Sequence, residues 1–204
     1  MRSPVEIWIK EHRIAIDHAD RLAEMLAPPD IQSRLMDPAE TRLRRTLAGH
    51  LDAVIEMANN HFRHEEKLLV PAIVEHLGAS DSSDPSVSEA LGCLAREHSQ
   101  MHRLTRRLTD LLPSLKSDEA TNAETAMEIL TLAFGVQSVV RHHCTKEERE
   151  IFPLVGKLPP SAVAKIMEGI GPRPDIPMDH LIKPLGGDEP GNPVLGEDGE
   201  GPDN

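Results

Sequence analysis

Two stretches of the chain carry one skeleton of potential donor residues. HFRHEEKLLVP (61–71) and HCTKEEREIFP (143–153) lie 82 residues apart, and each reads His, three residues, Glu-Glu, four residues, Pro. On a helix, residues i and i+4 share a face with Cβ atoms about 5–6 Å apart. His61/Glu65 and His143/Glu147 therefore each set an imidazole beside a carboxylate. The periodicity puts Val54, Met57 and Leu68 on the stripe of the first pair, and Val136, Val140 and Ile151 on that of the second. Both pairs thus point at a core, where an unpaired carboxylate costs roughly several kcal/mol. Burying two carboxylates among imidazoles makes physical sense when a cation sits between them. A single His-x3-Glu is ordinarily a solvated polar pair. Two copies at matched positions, each followed by Pro at the same offset, argue for a metal site.

A second, fainter match supplies further donors. At an offset of 86 residues Glu11-His12 falls on Glu97-His98, Val5 on Leu91, Trp8 on Leu94, Leu22 on Leu108 and Met25-Leu26 on Leu111-Leu112. The chain therefore reads as two versions of one helical hairpin, and His12 with His98 completes a quasi-symmetric cage of six residues. His18 is the rival on the first helix, beside Ile14 and Leu22. His12 is favoured because His18 aligns with Leu104 and leaves only a short run of helix beyond it.

The elements that must position these residues are all helical. Ser3-Pro4-Val5-Glu6, Ser86-Val87-Ser88-Glu89 and Thr121-Asn122-Ala123-Glu124 each place a hydroxyl at N-cap and Glu at N3. Asp37-Pro38-Ala39-Glu40 does the same with a carboxylate. Pro28-Pro29, Gly78 with the Ser/Asp-rich run to Pro85, and Lys116-Ser117-Asp118 supply the stops. The predicted helices are A over 4–27, B over 38–77, C over 87–115 and D over 122–156, with an apolar turn of helix near 161–168. Leu91, Leu94, Met101, Leu108 and Leu112 give C an apolar side, and strand-like alternation is absent. Two such hairpins predict an all-α, up-down-up-down four-helix bundle, whose interior is a common place to build metal sites. Pro71 and Pro153 predict that B and D bend or stop just past the donor level.

Composition sets the outer bounds. The 204 residues suit a bundle over 1–168 plus a tail over 169–204 that holds eight of thirteen glycines and seven of seventeen prolines. The tail has eight Asp/Glu against two Lys/Arg, which predicts disorder, and IPMDHLIKPL (176–185) is its apolar piece. A formal charge of −12 argues against nucleic-acid binding, which needs a basic surface. The start, MRSPVEIWIKEH, lacks the apolar run of a signal peptide, and no stretch reads as long enough to span a bilayer. The expectation is a cytoplasmic protein with Cys93 and Cys144 reduced. Eleven histidines beside three Phe, one Trp and no Tyr are the odd feature, and a cofactor held by imidazoles accounts for it.

Imidazole plus carboxylate without thiolate suits Fe or Mn better than Zn, which in structural sites usually takes four N/S donors. Ferritin-type di-iron bundles use Glu-x-x-His, and no Glu here has His three residues later. With its inverted order and spacing of four, the pattern resembles the hemerythrin-like (HHE) family. The matches are KEH at 10–12, HFRHEEKLLVP, REH at 96–98 and HCTKEEREIFP, and they cover about residues 4–156. The resemblance implies a non-heme di-iron centre, oxo- or hydroxo-bridged, with Glu65 and Glu147 bridging and the histidines terminal. Oxygen-carrying hemerythrins have His-x3-His on the third helix, which His98 and His102 match, and His-x4-Asp on the fourth. The second is not matched, since Glu147 stands four residues after His143 and five after His142. Octahedral geometry at both irons leaves about two positions open, one of which His102 could close. With His102 bound, the centre fits O₂ carriage. Without it, the centre is more open to NO, peroxide or iron exchange.

The smaller features have plainer readings. His50 lies on the inward stripe where the repeat has Leu132, and reads as a core histidine satisfied by a neighbour before it reads as part of a polar channel. His64 and His142 flank the motifs, and Cys144 reads as a small buried filler. The function expected is a di-iron protein that binds or reacts with O₂, NO or peroxide, in sensing, stress defence or iron handling. There is no hydrolase or transferase motif. A rival of another class is an interaction module that signals to a protein partner through the acidic tail. A structural zinc site or an empty bundle is the plainest alternative.

Overall fold

In the computed structural model, residues 3–78 and 85–171 are described, and all lie within the unit Met1–Gly171. The expectation of a disordered acidic tail falls on 172–204, outside the described residues. Four long helical runs make the bundle: α1 (Pro4–Leu26); α3 (Thr41–His64) continued by α4 (Val70–Leu77); α5 (Pro85–Lys116); and α6 (Ala123–Lys146) continued by α7 (Phe152–Val155). A short α2 (Ile31–Leu35) and a 3-10 turn (Pro38–Glu40) fill the first connection, and α8 (Pro160–Ile170) follows the bundle. No strand occurs among the described residues. Both α1 and α5 pack against α3 and α6, so the four runs form a square with α1 diagonal to α5.

The caps explain the starts, with three corrections. Ser3 accepts from Val5 N at 3.2 Å, and the Glu6 carboxylate accepts from Ser3 N at 3.2 Å, closing the first capping box. Asp37 accepts from Ala39 N at 2.8 Å, but it caps the 3-10 turn rather than a long helix. The α6 cap is Asn122, whose side chain accepts from Thr125 N at 2.9 Å, not Thr121. An Asn caps as well as a hydroxyl does, so one residue of slippage costs little. Ser86 lies inside the first turn of α5, which already begins at Pro85.

Helix B continues past Pro71 to Leu77, and D ends at Val155, two residues past Pro153; both change shape at the donor level. They widen. Glu65–Leu69 and Glu147–Ile151 are π turns, closed by Val70 N donating to the Glu65 carbonyl and Phe152 N donating to that of Glu147. Pro71 and Pro153 sit in the first turn of the helices that follow, where a missing N–H is tolerated. A π turn inserts one extra residue, and this shifts the buried stripe. Leu69 and Ile73 are fully buried, whereas Leu68, predicted to face inward, is only partly so and lies against Gly169 of α8. A Cβ on Gly169 would stand 2.6 Å from Leu68 Cδ2, so the glycine permits the close approach. It is a helical residue of α8, whereas the composition had placed it at the start of the tail.

Buried apolar side chains form two clusters. The larger includes Ala15, Leu22, Leu47, Leu51, Val54, Met101, Leu108, Ile129 and Val136. The smaller gathers Trp8, Leu69, Ile73, Leu94, Ile151 and Phe152 with Ile166 of α8. Each long run crosses from one cluster to the other at the predicted donors. On α1 the order is Trp8, His12, Ala15; on α5 it is Leu94, His98, Met101. The polar residues are a layer with apolar packing above and below.

The run Ala123–Val155 is long enough, and in an 18-residue window with a mean hydropathy of 1.2 apolar enough, to cross a membrane by length and composition. This corrects the expectation that no stretch would be. Packing accounts for part of this apolar character, since Ile129, Ala133, Val136 and Val140 fill the larger cluster, while Met127 and Phe134 are about half exposed.

Leu51 is wholly buried in that cluster, so Leu51→Ala is expected to lower stability by about 2–5 kcal/mol in urea denaturation. Met127→Ala, at a half-exposed site on α6, is expected to stay within about 0.5 kcal/mol.

Candidate metal centre

His12, His61, His98, His143, Glu65 and Glu147 are each at most 3% exposed. Their inner atoms converge. His12 Nε2 lies 3.0 Å from His61 Nε2 and 3.1 Å from Glu147 Oε2. Glu65 reaches both ways, with Oε1 3.1 Å from His61 Nε2 and Oε2 3.2 Å from His98 Nε2. His143 Nε2 stands 3.4 Å from Glu147 Oε2. Two sets of four donors result: His12, His61, Glu65 and Glu147; and His98, His143, Glu65 and Glu147. Within each set the ligand atoms lie within 4.8 Å of one another, and both carboxylates belong to both sets.

Whether these residues suit a cation can be judged from their hydrogen bonds. Both oxygens of Glu65, Oε1 of Glu147, Nε2 of His98 and Nε2 of His143 are buried without a hydrogen-bond partner. They approach one another closely enough for ion pairs, yet are not aligned to bond. Buried polar atoms are almost always paired, so five unpaired donors facing one space fit a bound cation well.

The outer face of every ring is fully engaged. His12 Nδ1 donates to Glu148 at 3.0 Å, His61 Nδ1 to Glu11 at 2.8 Å, His98 Nδ1 to Glu66 at 2.9 Å and His143 Nδ1 to Glu97 at 3.2 Å. A carboxylate can only accept here, so a proton sits on each Nδ1 and Nε2 is turned inward; once any proton on Nε2 is given up, its lone pair faces the space, the tautomer a metal requires. The sequence reading gave no role to Glu11, Glu66, Glu97 and Glu148. A signal was nonetheless present: the second Glu of each Glu-Glu, and the Glu preceding His12 and His98, recur in both halves of the chain.

Aromatic rings close the layer. Phe62 stacks on His98 with centroids 4.1 Å apart, Phe152 stacks on His12 at 5.1 Å, and Trp8 stacks behind Phe152 at 5.8 Å. They keep water off the imidazoles and fix the ring planes.

Two rival histidines lie outside the cluster. His102 belongs to neither donor set; its ring is 45% exposed and its Nε2 lies 3.2 Å from Glu66 Oε1, the same oxygen that holds His98. His18 pairs instead with His50, Nδ1 to Nδ1 at 2.9 Å, and burial lowers the pKa of both. His50 is thus a histidine satisfied by a neighbour. Cys144 is buried, and burial pushes its thiol up to about 12.

Without a cation the charges must balance by protonation. Burial opposes a charged His61, but Glu65 and Glu147 outweigh it and raise its pKa to about 10. Burial likewise opposes an ionised Glu65, and His61, His98 and His143 override it and hold that carboxyl well below its ordinary range. A cation can replace these protons.

A family model described as hemerythrin HHE cation binding domain matches residues 3–155. No curated protein and no solved structure matches the chain.

With a folded pKa of about 10 against an ordinary 6.5, protonated His61 stabilises the metal-free protein fully below pH 6.5. That contribution is lost as pH rises through 10. The thermal midpoint of metal-free protein is therefore expected to fall between pH 7 and 10, and that of cation-loaded protein to change much less. Loading at pH 7 should release protons, measurable with an indicator dye.

Proposed function

The chain belongs to the hemerythrin HHE cation-binding domain family, and on that premise we propose that it holds two iron ions. His12 and His61 would serve one, His98 and His143 the other, and Glu65 and Glu147 would bridge both. The observation that carries this reading is the pair of four-donor sets that share the two glutamates. A mixed imidazole and carboxylate set without thiolate suits iron or manganese better than zinc.

Each position receives two imidazoles and two carboxylate oxygens. Iron ordinarily takes more donors than these four, so a position filled this way would keep room for a small ligand. His102 is engaged with Glu66, so neither position gains a fifth protein donor. Bound iron would supply the redox change and the vacant positions for a small ligand. The protein residues contribute the rest. Glu11, Glu66, Glu97 and Glu148 hold the four rings with Nε2 inward, Glu65 and Glu147 offset the added charge, and Phe62, Phe152 and Trp8 exclude water. Openness at both positions favours reaction with O₂, NO or peroxide over reversible carriage of O₂, and so a role in stress defence, sensing or iron handling.

Anaerobically loaded protein is expected to hold two irons per chain by elemental analysis, and His61→Ala with His143→Ala fewer than one. Stopped-flow mixing of reduced protein with hydrogen peroxide should oxidise it rapidly, and mixing with O₂ should leave no lasting oxygenated species. An oxygenated form stable for minutes would support carriage instead.

A further inference from the structure

Glu97 ties His143 to three groups outside the donor sets. Its Oε2 accepts from His143 Nδ1 at 3.2 Å. Its Oε1 accepts from Cys93 Sγ at 3.5 Å and lies 3.6 Å from Lys146 Nζ and 3.5 Å from His142 Nε2. Lys146 also contacts the Cys93 sulfur. The carboxylate therefore sits between a ring it orients and a thiol–ammonium pair that orients it.

Three further observations give this arrangement a consequence. First, Cys93 and Lys146 line a cavity of about 480 Å³ together with Arg96, His142 and Arg149, so the sulfur can be reached from outside. Secondly, the other half of the pseudo-symmetric bundle lacks the pair: the positions matching Cys93 and Lys146 are Ile7 and His64. Thirdly, Glu97 is mostly shielded from solvent, at 12% exposure, so its orientation depends on these protein partners. At 3.6 Å the ammonium–carboxylate contact is an ion pair that supplies attraction, and the thiol is a weak donor that adds direction.

We propose that Lys146 and Cys93 are positioning residues for the cation held by His98 and His143. Their joint hold on Glu97 fixes the His143 ring, so a change at the Cys93 sulfur alters one cation position and spares the other. This rests on the two-cation reading above. Removing the partner that orients a ligating histidine typically costs about 10–100-fold in metal affinity. Groups acting one contact further out should cost roughly three- to tenfold.

The test is titration of the full chain with Co²⁺, following both successive affinities and the visible ligand-field bands. Lys146→Met and Cys93→Ala should each weaken one of the two affinities and shift its band, and Lys146→Arg should restore both. Alkylation with iodoacetamide in the Cys144→Ala background should reproduce Cys93→Ala. In a His98→Ala background, where that position is already impaired, Cys93→Ala should add nothing further. Equal weakening of both affinities, failure of Lys146→Arg to restore, or unchanged binding in all the variants would overturn the proposal. Wild-type protein that binds fewer than two Co²⁺ would instead overturn the two-cation reading, and this inference with it.

Discussion

The structure depends on one constraint, the burial of two carboxylates in a layer with apolar packing above and below. Glu65 and Glu147 are at most 1% exposed, and both oxygens of Glu65 lack a hydrogen bond. Nothing in the two apolar clusters can offset that charge. Only the imidazoles can, by taking up protons, or a cation that takes the place of those protons. The unpaired atoms and the raised pKa of His61 are thus two signs of one imbalance. The fold tolerates the imbalance because each donor sits on a long helix anchored by apolar side chains on either side.

Delivery of six inner atoms to one place asks more of the backbone than regular helices provide. The two π turns begin at Glu65 and Glu147 themselves. By adding a residue there, each lets the chain bring Glu65 or Glu147 inward and then return a different face, Leu69 or Ile151, to the smaller cluster. The prolines that follow remove an amide that a regular helix would have used. Local irregularity and donor geometry are one feature viewed at two scales.

Much of this was legible in the sequence. Spacing of four on a helix identifies His61/Glu65 and His143/Glu147, and the internal repeat singles out His12 and His98 over His18. What was not legible had physical reasons. Positions seven and eight after a donor both fall on a helix's apolar stripe, so Leu68 was assigned the place that Leu69 takes, while Ile151, eight after His143, was placed inward correctly. His102 has the spacing of a donor, but Glu66, one residue beyond Glu65, meets it outside the cluster. Thr121 and Asn122 are equivalent as caps, so sequence alone could not choose between them. The apolar length of α6 and its continuation is less legible because buried residues such as Ile129 and Val136 alternate with half-exposed ones such as Met127 and Phe134.

The four outer carboxylates follow a rule of succession. Glu11 of α1 serves His61 of α3, and Glu66, just past α3, serves His98 of α5. Glu97 of α5 then serves His143 of α6, and Glu148, just past α6, returns to His12 of α1. The circuit is closed, and its second half repeats the first. A lone hairpin would carry one such bond within itself and two loose ends, an unserved His12 and an unused Glu66, which a second copy in head-to-tail register would satisfy. The centre is thus self-complementary: either half of this polypeptide holds the full recipe, and the other half reads as that recipe duplicated in tandem.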